Sequence, residues 1–190
     1  MLELPSKLRQ KPFSAREAKV CGLSKAGLTR MVKAGVLERL SRGVYQVGGM
    51  DDPTGEDRYR MATIRAGEPS AICLLSALEH YHVTGEISRK VWVLAPAEKR
   101  VVSKDVQLIR ARQPRWKIGI RKARGYSITS LERTLIDGLI HKRKIGIQVA
   151  LEAIKQALAQ KKVKLGSLID MAKKLKAEDR LHPYLEALAV

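Results

Sequence analysis

The sequence predicts an α+β chain in two parts, and three observations carry that expectation. Residues 13–47 hold two capped helical segments separated by a very short turn and followed by a glycine-turned hairpin. A turn-rich stretch at 48–55 then breaks the pattern. Beyond it, short β-type runs are followed by long helical ones. A hydrophobic fraction of 45% over 190 residues is enough for real cores, and with aromatics at 4% those cores must be mostly Leu, Ile, Val and Ala.

Residues 1–12 hold one apolar helical turn (Leu2, Leu4, Leu8) interrupted by Pro5 and Pro12, and read as a first helix packed beneath residues 13–47. Ser14-Ala15-Arg16-Glu17 has the form of a capping box, in which the serine hydroxyl accepts from the Glu17 amide and the carboxylate reaches back to the Ser14 amide. A helix should start at Ala15 and end at Gly22, since glycine tolerates the left-handed conformation after a last turn. Ser24 is a second N-cap only two residues on, so a turn of about three residues joins the helices, the length a helix-turn-helix needs. The second helix should cover Lys25 to Ala34 and stop at Gly35. Leu28, Met31 and Val32 form its apolar stripe, while Lys25, Thr29, Arg30 and Lys33 fall on the other side. Val36 to Leu40, the turn Ser41-Arg42-Gly43 and Val44 to Val47 then make a hairpin with an arginine at its tip. Helix, tight turn, cationic helix and basic-tipped hairpin in this order spell a winged helix-turn-helix over residues 1–50, a module that inserts one helix into a DNA groove.

Charge agrees with a polyanionic partner. There are 37 Lys and Arg against 19 Asp and Glu, a net charge of +18. Residues 1–50 contribute ten basic and three acidic side chains, or +7, so most of the excess lies elsewhere. The longest apolar run, Ala71 to Leu75, is far below the roughly 20 residues of a membrane span. MLELPSKLRQ lacks the hydrophobic region of a signal peptide. Cys21 and Cys73 have no metal-ligand spacing and read as buried thiols of a cytoplasmic protein.

Residues 54–190 should form the second domain. Glu56 to Ala66 reads as a helix. Ser70 is placed to cap another, Ala71 to His82, apolar almost all round. The period then changes to that of strands at Val91–Ala95 (closed by Pro96), Val106–Arg110, Ile118–Ile120 and Gly125–Ile128. No helix-length connector separates these runs, which points to a small antiparallel sheet. Thr129-Ser130-Leu131-Glu132 is a second capping box and opens a helix through Ile140, in which Asp137 can pair with Arg133 one turn back. Residues 147–160, 166–176 and 180–189 complete the chain as helices. Between Ala97 and Arg124 there are ten basic and two acidic residues. Arg110, Arg112, Arg115, Lys117, Arg121, Lys122 and Arg124 crowd there around Trp116. Guanidinium groups pair with phosphates and an indole can stack on a base, so the belt suits a second nucleic-acid or partner surface. A solvated sheet face with a half-buried tryptophan fits the same residues.

Signatures of catalysis are not found. The sequence has no P-loop, dinucleotide fingerprint, H-E-x-x-H, C-x-x-C or G-x-S-x-G. Glu79, Glu98, Asp105, Glu132 and Asp137 are scattered, without the clustering a metal-dependent nuclease needs. His80 and His82 are an H-x-H pair, but two residues apart on a helix they diverge, so no metal or cofactor is expected.

Three stretches carry a resemblance: the winged helix ending LERLSRGVYQV, the segment AICLLSALEHYHVTG (71–85) followed by VWVLAP, and YSITSLERTLIDGL. With these the chain resembles the AbiEi family of antitoxins from type IV toxin–antitoxin systems. The resemblance implies an N-terminal domain that represses its own operon at promoter repeats. It also implies a C-terminal domain that counteracts a nucleotidyltransferase-like toxin encoded beside it. The recognition-helix and wing positions carried onto this chain are Ser24, Lys25, Thr29, Arg30, Lys33, Arg39 and Arg42. Arg30 and Lys25 are expected at base edges and the others at phosphates or a minor-groove edge. No coiled-coil seam is present, so a monomer that pairs up on repeated sites is expected. Two other classes fit parts of the sequence: an interaction protein whose C-terminal domain grips an acidic partner while the winged helix scaffolds, and a nucleic-acid enzyme built on Glu79, Asp105 or Asp137.

Overall fold

In the computed structural model, which describes residues 4–51, 53, 55–101, 103–111 and 114–186, the first element is a single 3-10 turn, Ser6–Leu8. It is shorter than the helix expected there, and Leu2 and the C-terminal residues 187–190 lie outside the described part. Leu4 and Leu8 are nonetheless buried, in one core with Phe13, Ala18, Leu28, Met31 and Leu37. The capping box forms: the Glu17 amide donates to the Ser14 hydroxyl at 3.1 Å, and the Ser14 amide donates to the Glu17 carboxylate at 2.7 Å. It opens α1 (Ala15–Val20), and Gly22 takes φ 85° beyond the helix end. Ser24 caps α2 (Lys25–Lys33) by accepting from the Gly27 amide at 3.0 Å.

β2 (Leu37–Ser41) and β3 (Val44–Val47) form the hairpin. A strand the periodicity did not reveal, β1 (Phe13–Ser14), pairs antiparallel with β3 and completes a three-stranded sheet of order β1-β3-β2. Two residues are too few for a period-2 pattern to register. Gly48 lies so close to the end of α2 that a Cβ there would stand 2.1 Å from the Gly35 carbonyl oxygen.

α3 (Glu56–Ala66) has the bounds the sequence suggests, but it packs with the first unit. That unit is Met1–Glu68 and the second is Pro69–Val190. The chemistry holding α3 there is specific. The buried Arg60 donates from Nε to the Pro12 carbonyl and from Nη2 to the Glu17 carboxylate, and Arg65 Nε donates to Ser41 Oγ at 3.0 Å. The turn-rich stretch at 48–55 is therefore a connection within a unit.

The second unit is built on β4 (Ala71–Ile72), β5 (Val91–Pro96), β6 (Val106–Ala111), β7 (Ile120–Lys122) and β8 (Ser127–Thr129) in the order β6-β5-β4-β8-β7. The sheet is mixed, which corrects the antiparallel expectation: β4–β8 and β5–β6 are parallel, β4–β5 and β7–β8 antiparallel. A parallel pair requires the chain to travel back along the strand before the next begins. Between β5 and β6 the chain does so with no helix among the described residues, because nine extended residues reach roughly 30 Å, more than the roughly 20 Å of a six-residue strand. The helix expected from Ala71 is corrected as well. Ala71 and Ile72 form the central strand, Cys73 is extended (φ −148°), and Leu74 turns the chain at φ 47° into α4 (Leu74–His80). A strand-to-helix switch buried on all sides leaves no polar face for the pattern to display.

α5 (Leu131–Ile140) is the centre of this unit, packed against α4, α7 (Ile147–Ala159) and α8 (Leu165–Lys174) through Leu131, Leu135, Ile136 and Leu139. Its cap is Ser130, which accepts from the Arg133 amide at 3.3 Å; Thr129 instead bonds the Ile72 carbonyl and the Thr134 hydroxyl. A four-residue α6 (Lys142–Ile145) precedes α7, and α9 (Glu178–Glu186) closes the unit.

Candidate nucleic-acid interface

The two faces of α2 separate as the spacing requires. Leu28 and Met31 are buried at 2% and 0% exposure, while Lys25, Thr29, Arg30 and Lys33 are all exposed. Lys25, Thr29 and Lys33 follow one another at four-residue steps and form a ridge; Arg30 stands beside it. Ala26, which lies four residues before Arg30, shares this outer face, although charge-based reading passed over it. Ser24 is exposed with its oxygen engaged as the helix cap, and its hydroxyl proton remains available to donate.

Arg39 is exposed on β2 and Arg42 is exposed in the turn, next to Gly43, whose φ of 76° lies in the left-handed region. The wing also carries Glu38, opposite Gln46 in the register. The buried Gln46 donates to the Glu38 carboxylate at 3.1 Å and holds this acid at the strand. The seven positions at residues 24–42 thus come together on one helix and one hairpin of the first unit.

The supporting layer is electrostatic too. Glu17 closes the capping box and receives Arg60. Burial pushes its pKa up, but the Ser14 amide and hydroxyl and the Arg60 guanidinium outweigh burial and hold it below the usual carboxylate range. α1, which carries the turn into α2, is tied in this way to β1 and α3.

The belt at 110–124 does not form one patch. β6, with exposed Arg110, and β7, with exposed Arg121 and Lys122, are opposite edges of a five-stranded sheet. Four interstrand spacings separate them, about 19 Å. Arg112 lies outside the described residues. Arg115, Lys117, Arg121, Lys122 and Arg124 remain as an exposed group on the loop and hairpin at the β7 edge. Trp116 is half-buried against the core, with the Lys117 ammonium 5.9 Å from its ring centroid. Arg121 has Glu132 at 3.8 Å.

This loop is fastened from below by a residue that sequence reading saw only as half of a helical pair. Arg133, buried, donates from Nε to Asp137 at 2.7 Å and from Nη1 to the Ile118 carbonyl at 2.6 Å and the Trp116 carbonyl at 3.3 Å. Burial raises the Asp137 pKa, against the pull of Arg133 and His141. Gly119 sits at φ 73°, where a Cβ would come within 2.8 Å of the Arg133 Cβ.

Other candidate residues have structural places. Cys73 is fully buried, and burial pushes its thiol well up, so it stays protonated; Cys21 is only half-buried, which corrects the expectation of two buried thiols. His80 is half-buried with Tyr81 and Tyr126 edge-on to its ring, and His82 is exposed at φ 54°. Among the described residues no group of three or more His, Cys, Asp or Glu is placed to hold a metal ion. No helix among them is long and apolar enough to cross a membrane.

The helix-turn-helix with its basic wing is the part of the chain that a known family model covers. Residues 4–48 match the family model described as a transcriptional regulator, AbiEi antitoxin. No curated protein matches the chain. The AbiEi match covers the 3-10 turn, both helices and the whole hairpin, so all seven positions expected to contact DNA lie inside it. That description is of regulators and antitoxins.

Proposed function

We propose that this chain is a sequence-specific DNA-binding protein that represses its own operon and acts as the antitoxin of a type IV toxin–antitoxin pair, opposing a nucleotidyltransferase-like toxin. One observation carries the DNA reading: the exposed face of α2 holds Lys25, Thr29, Arg30 and Lys33 without an acid, on a helix anchored by Leu28 and Met31. A helix of this size fits the major groove, where Arg30 and Lys25 meet guanine O6 and N7. Ser24, Thr29, Lys33, Arg39 and Arg42 hold the backbone and fix the register. The protein is a cytoplasmic monomer that pairs on repeated sites in its promoter.

Footprinting upstream of the gene, across a salt series, tests this. Protection of repeated sites that weakens steeply with salt is expected. A chain that protects no upstream site refutes autorepression.

A second reading is favoured by charge. Residues 69–190 hold 24 basic and 11 acidic side chains, which makes them +13 of the total +18. On this reading the second unit grips an acidic partner directly, and the winged helix is scaffold. A chain with Lys25, Arg30 and Lys33 all changed to Ala would still co-purify with the protein encoded beside it. Loss of that co-purification, or its absence in the unaltered chain, rejects the reading.

A further inference from the structure

We propose that Thr29 and Ala26 read the C5-methyl group of a thymine in the major groove, beside the base pair met by Arg30. This inference rests on the DNA-binding reading above, moves Thr29 from the phosphate role given there to a base edge, and adds a base identity.

The Thr29 hydroxyl is already committed. Its Oγ1 donates to the Lys25 carbonyl at 3.0 Å, one turn back in the same helix. A threonine so bonded has its donor turned to the backbone. The other branch at Cβ, a methyl group, is what the exposed side chain has left to present. Ala26 is three residues earlier, on the same face, and is exposed with only a methyl of its own. α2 therefore carries two adjacent methyl groups on its outward side, flanked by Lys25, Arg30 and Lys33. Three cations supply attraction to any duplex, but methyl groups in a solvent-facing ridge gain nothing until something apolar covers them. In a major groove the apolar feature on a base edge is the thymine C5-methyl, and alanine and the threonine methyl are side chains that meet it. The chemistry thus selects an A·T pair at the position next to the one that Arg30 reads.

The test begins with a preferred site selected from a random duplex pool by the full-length protein. Each thymine in that site is then replaced singly by uracil, which keeps every hydrogen-bonding group and removes only the methyl. At one or two positions affinity should fall about fourfold, the value of one methyl-sized group taken from water. Thr29→Ser, which keeps the hydroxyl and lacks the methyl, should lose most of that thymine-over-uracil preference, whereas Thr29→Val should retain it. Uniform tolerance of uracil in a well-protected site overturns the inference and leaves the DNA-binding reading intact. So does a Thr29→Ser protein with undiminished preference. If no sequence is enriched from the pool, both the reading and the inference fail. Thermal melting of each variant separates loss of fold from loss of contact.

Discussion

Among the described residues each unit buries one arginine and exposes a row of basic side chains, and the two units use them differently. In the first, exposed Lys25, Arg30 and Lys33 keep helical spacing, so position along the helix maps onto position along a groove. In the second, Arg115, Lys117, Arg121, Lys122 and Arg124 follow a loop and an edge hairpin, with Glu132 near Arg121 and Trp116 turned partly into the core. A rigid helix can hold side chains against base edges; a strip of cations on an edge suits phosphates. On the proposed reading, similar composition therefore supports specificity in one place and general attraction in the other. The buried pair differs as well: Arg60 binds unit 1 together by way of a half-exposed Glu17, whereas Arg133 serves a fully buried Asp137.

The largest effect should come from Arg133→Ala. It leaves the Asp137 carboxylate buried without its ion partner and the Trp116 and Ile118 carbonyls without their donor, at a cost of about 3–5 kcal/mol. Both tryptophans, Trp92 and Trp116, lie in the second unit, so fluorescence during urea unfolding of the whole chain reports that unit alone. An unshifted midpoint would show that the loop at the β7 edge does not depend on this clamp.

Gly48→Ala is the counterpart in the first unit. The new Cβ would press on the Gly35 carbonyl oxygen from 2.1 Å, where the hairpin meets the end of α2. Overpacking of this kind costs roughly 1–3 kcal/mol. The helical circular-dichroism signal should then begin to melt earlier while tryptophan fluorescence is unchanged; movement of both would mean that the units do not unfold separately.

Arg30→Ala and a double Arg121→Ala, Lys122→Ala variant put the two basic rows in direct contrast. The first should lose about 1–3 kcal/mol at one base position and relax specificity there. The second should weaken binding to all sequences alike and lower the slope of log affinity on log salt by roughly 0.9 per lost phosphate contact. Equal losses on every sequence for Arg30→Ala would move that residue to the backbone. An unchanged slope for the double variant would mean that the β7 edge faces something other than DNA.

How far the fold is legible in the sequence depends on the range of the interactions. Ser14 with Glu17, Ser24, Gly22 and Gly35 act within one turn, and α1, α2 and the hairpin lie where these residues place them. α3 kept its bounds for the same reason, yet its allegiance to the first unit depends on Arg60 reaching Pro12 and Glu17 more than forty residues back. Strand order is equally non-local. Ile72 pairs with Ile128, and nothing in the neighbourhood of either announces the other. That order divides the basic belt: Arg110 and Arg121 are eleven positions apart in the chain and stand on opposite edges of the sheet. The helical face of α2 is legible because its period alone separates buried Leu28 and Met31 from exposed Lys25, Arg30 and Lys33; the second surface is legible only as composition.

The smallest effect separates the ion pairs of the two buried arginines by the sign of their response to acid. Glu17 has a folded pKa below its ordinary value of 4.5, because its bonds to Ser14 and Arg60 outweigh burial. Its contribution is fully present above that ordinary value and is lost as pH falls through the lower, folded one. Glu17 is partly exposed, so after solvent screening the contribution is on the order of 1 kcal/mol or less. Asp137 has the opposite shift, since burial raises it from an ordinary value of 3.8. Its contribution is fully present below that value and is lost as pH rises through the raised folded pKa. Unfolding between pH 3 and 6 should therefore show the first unit weakening with acid relative to Glu17→Gln. Over the same range the second unit should strengthen with acid relative to Asp137→Asn. If both differences ran the same way with pH, one of the two pairs would have to be held by partners other than Arg60 or Arg133.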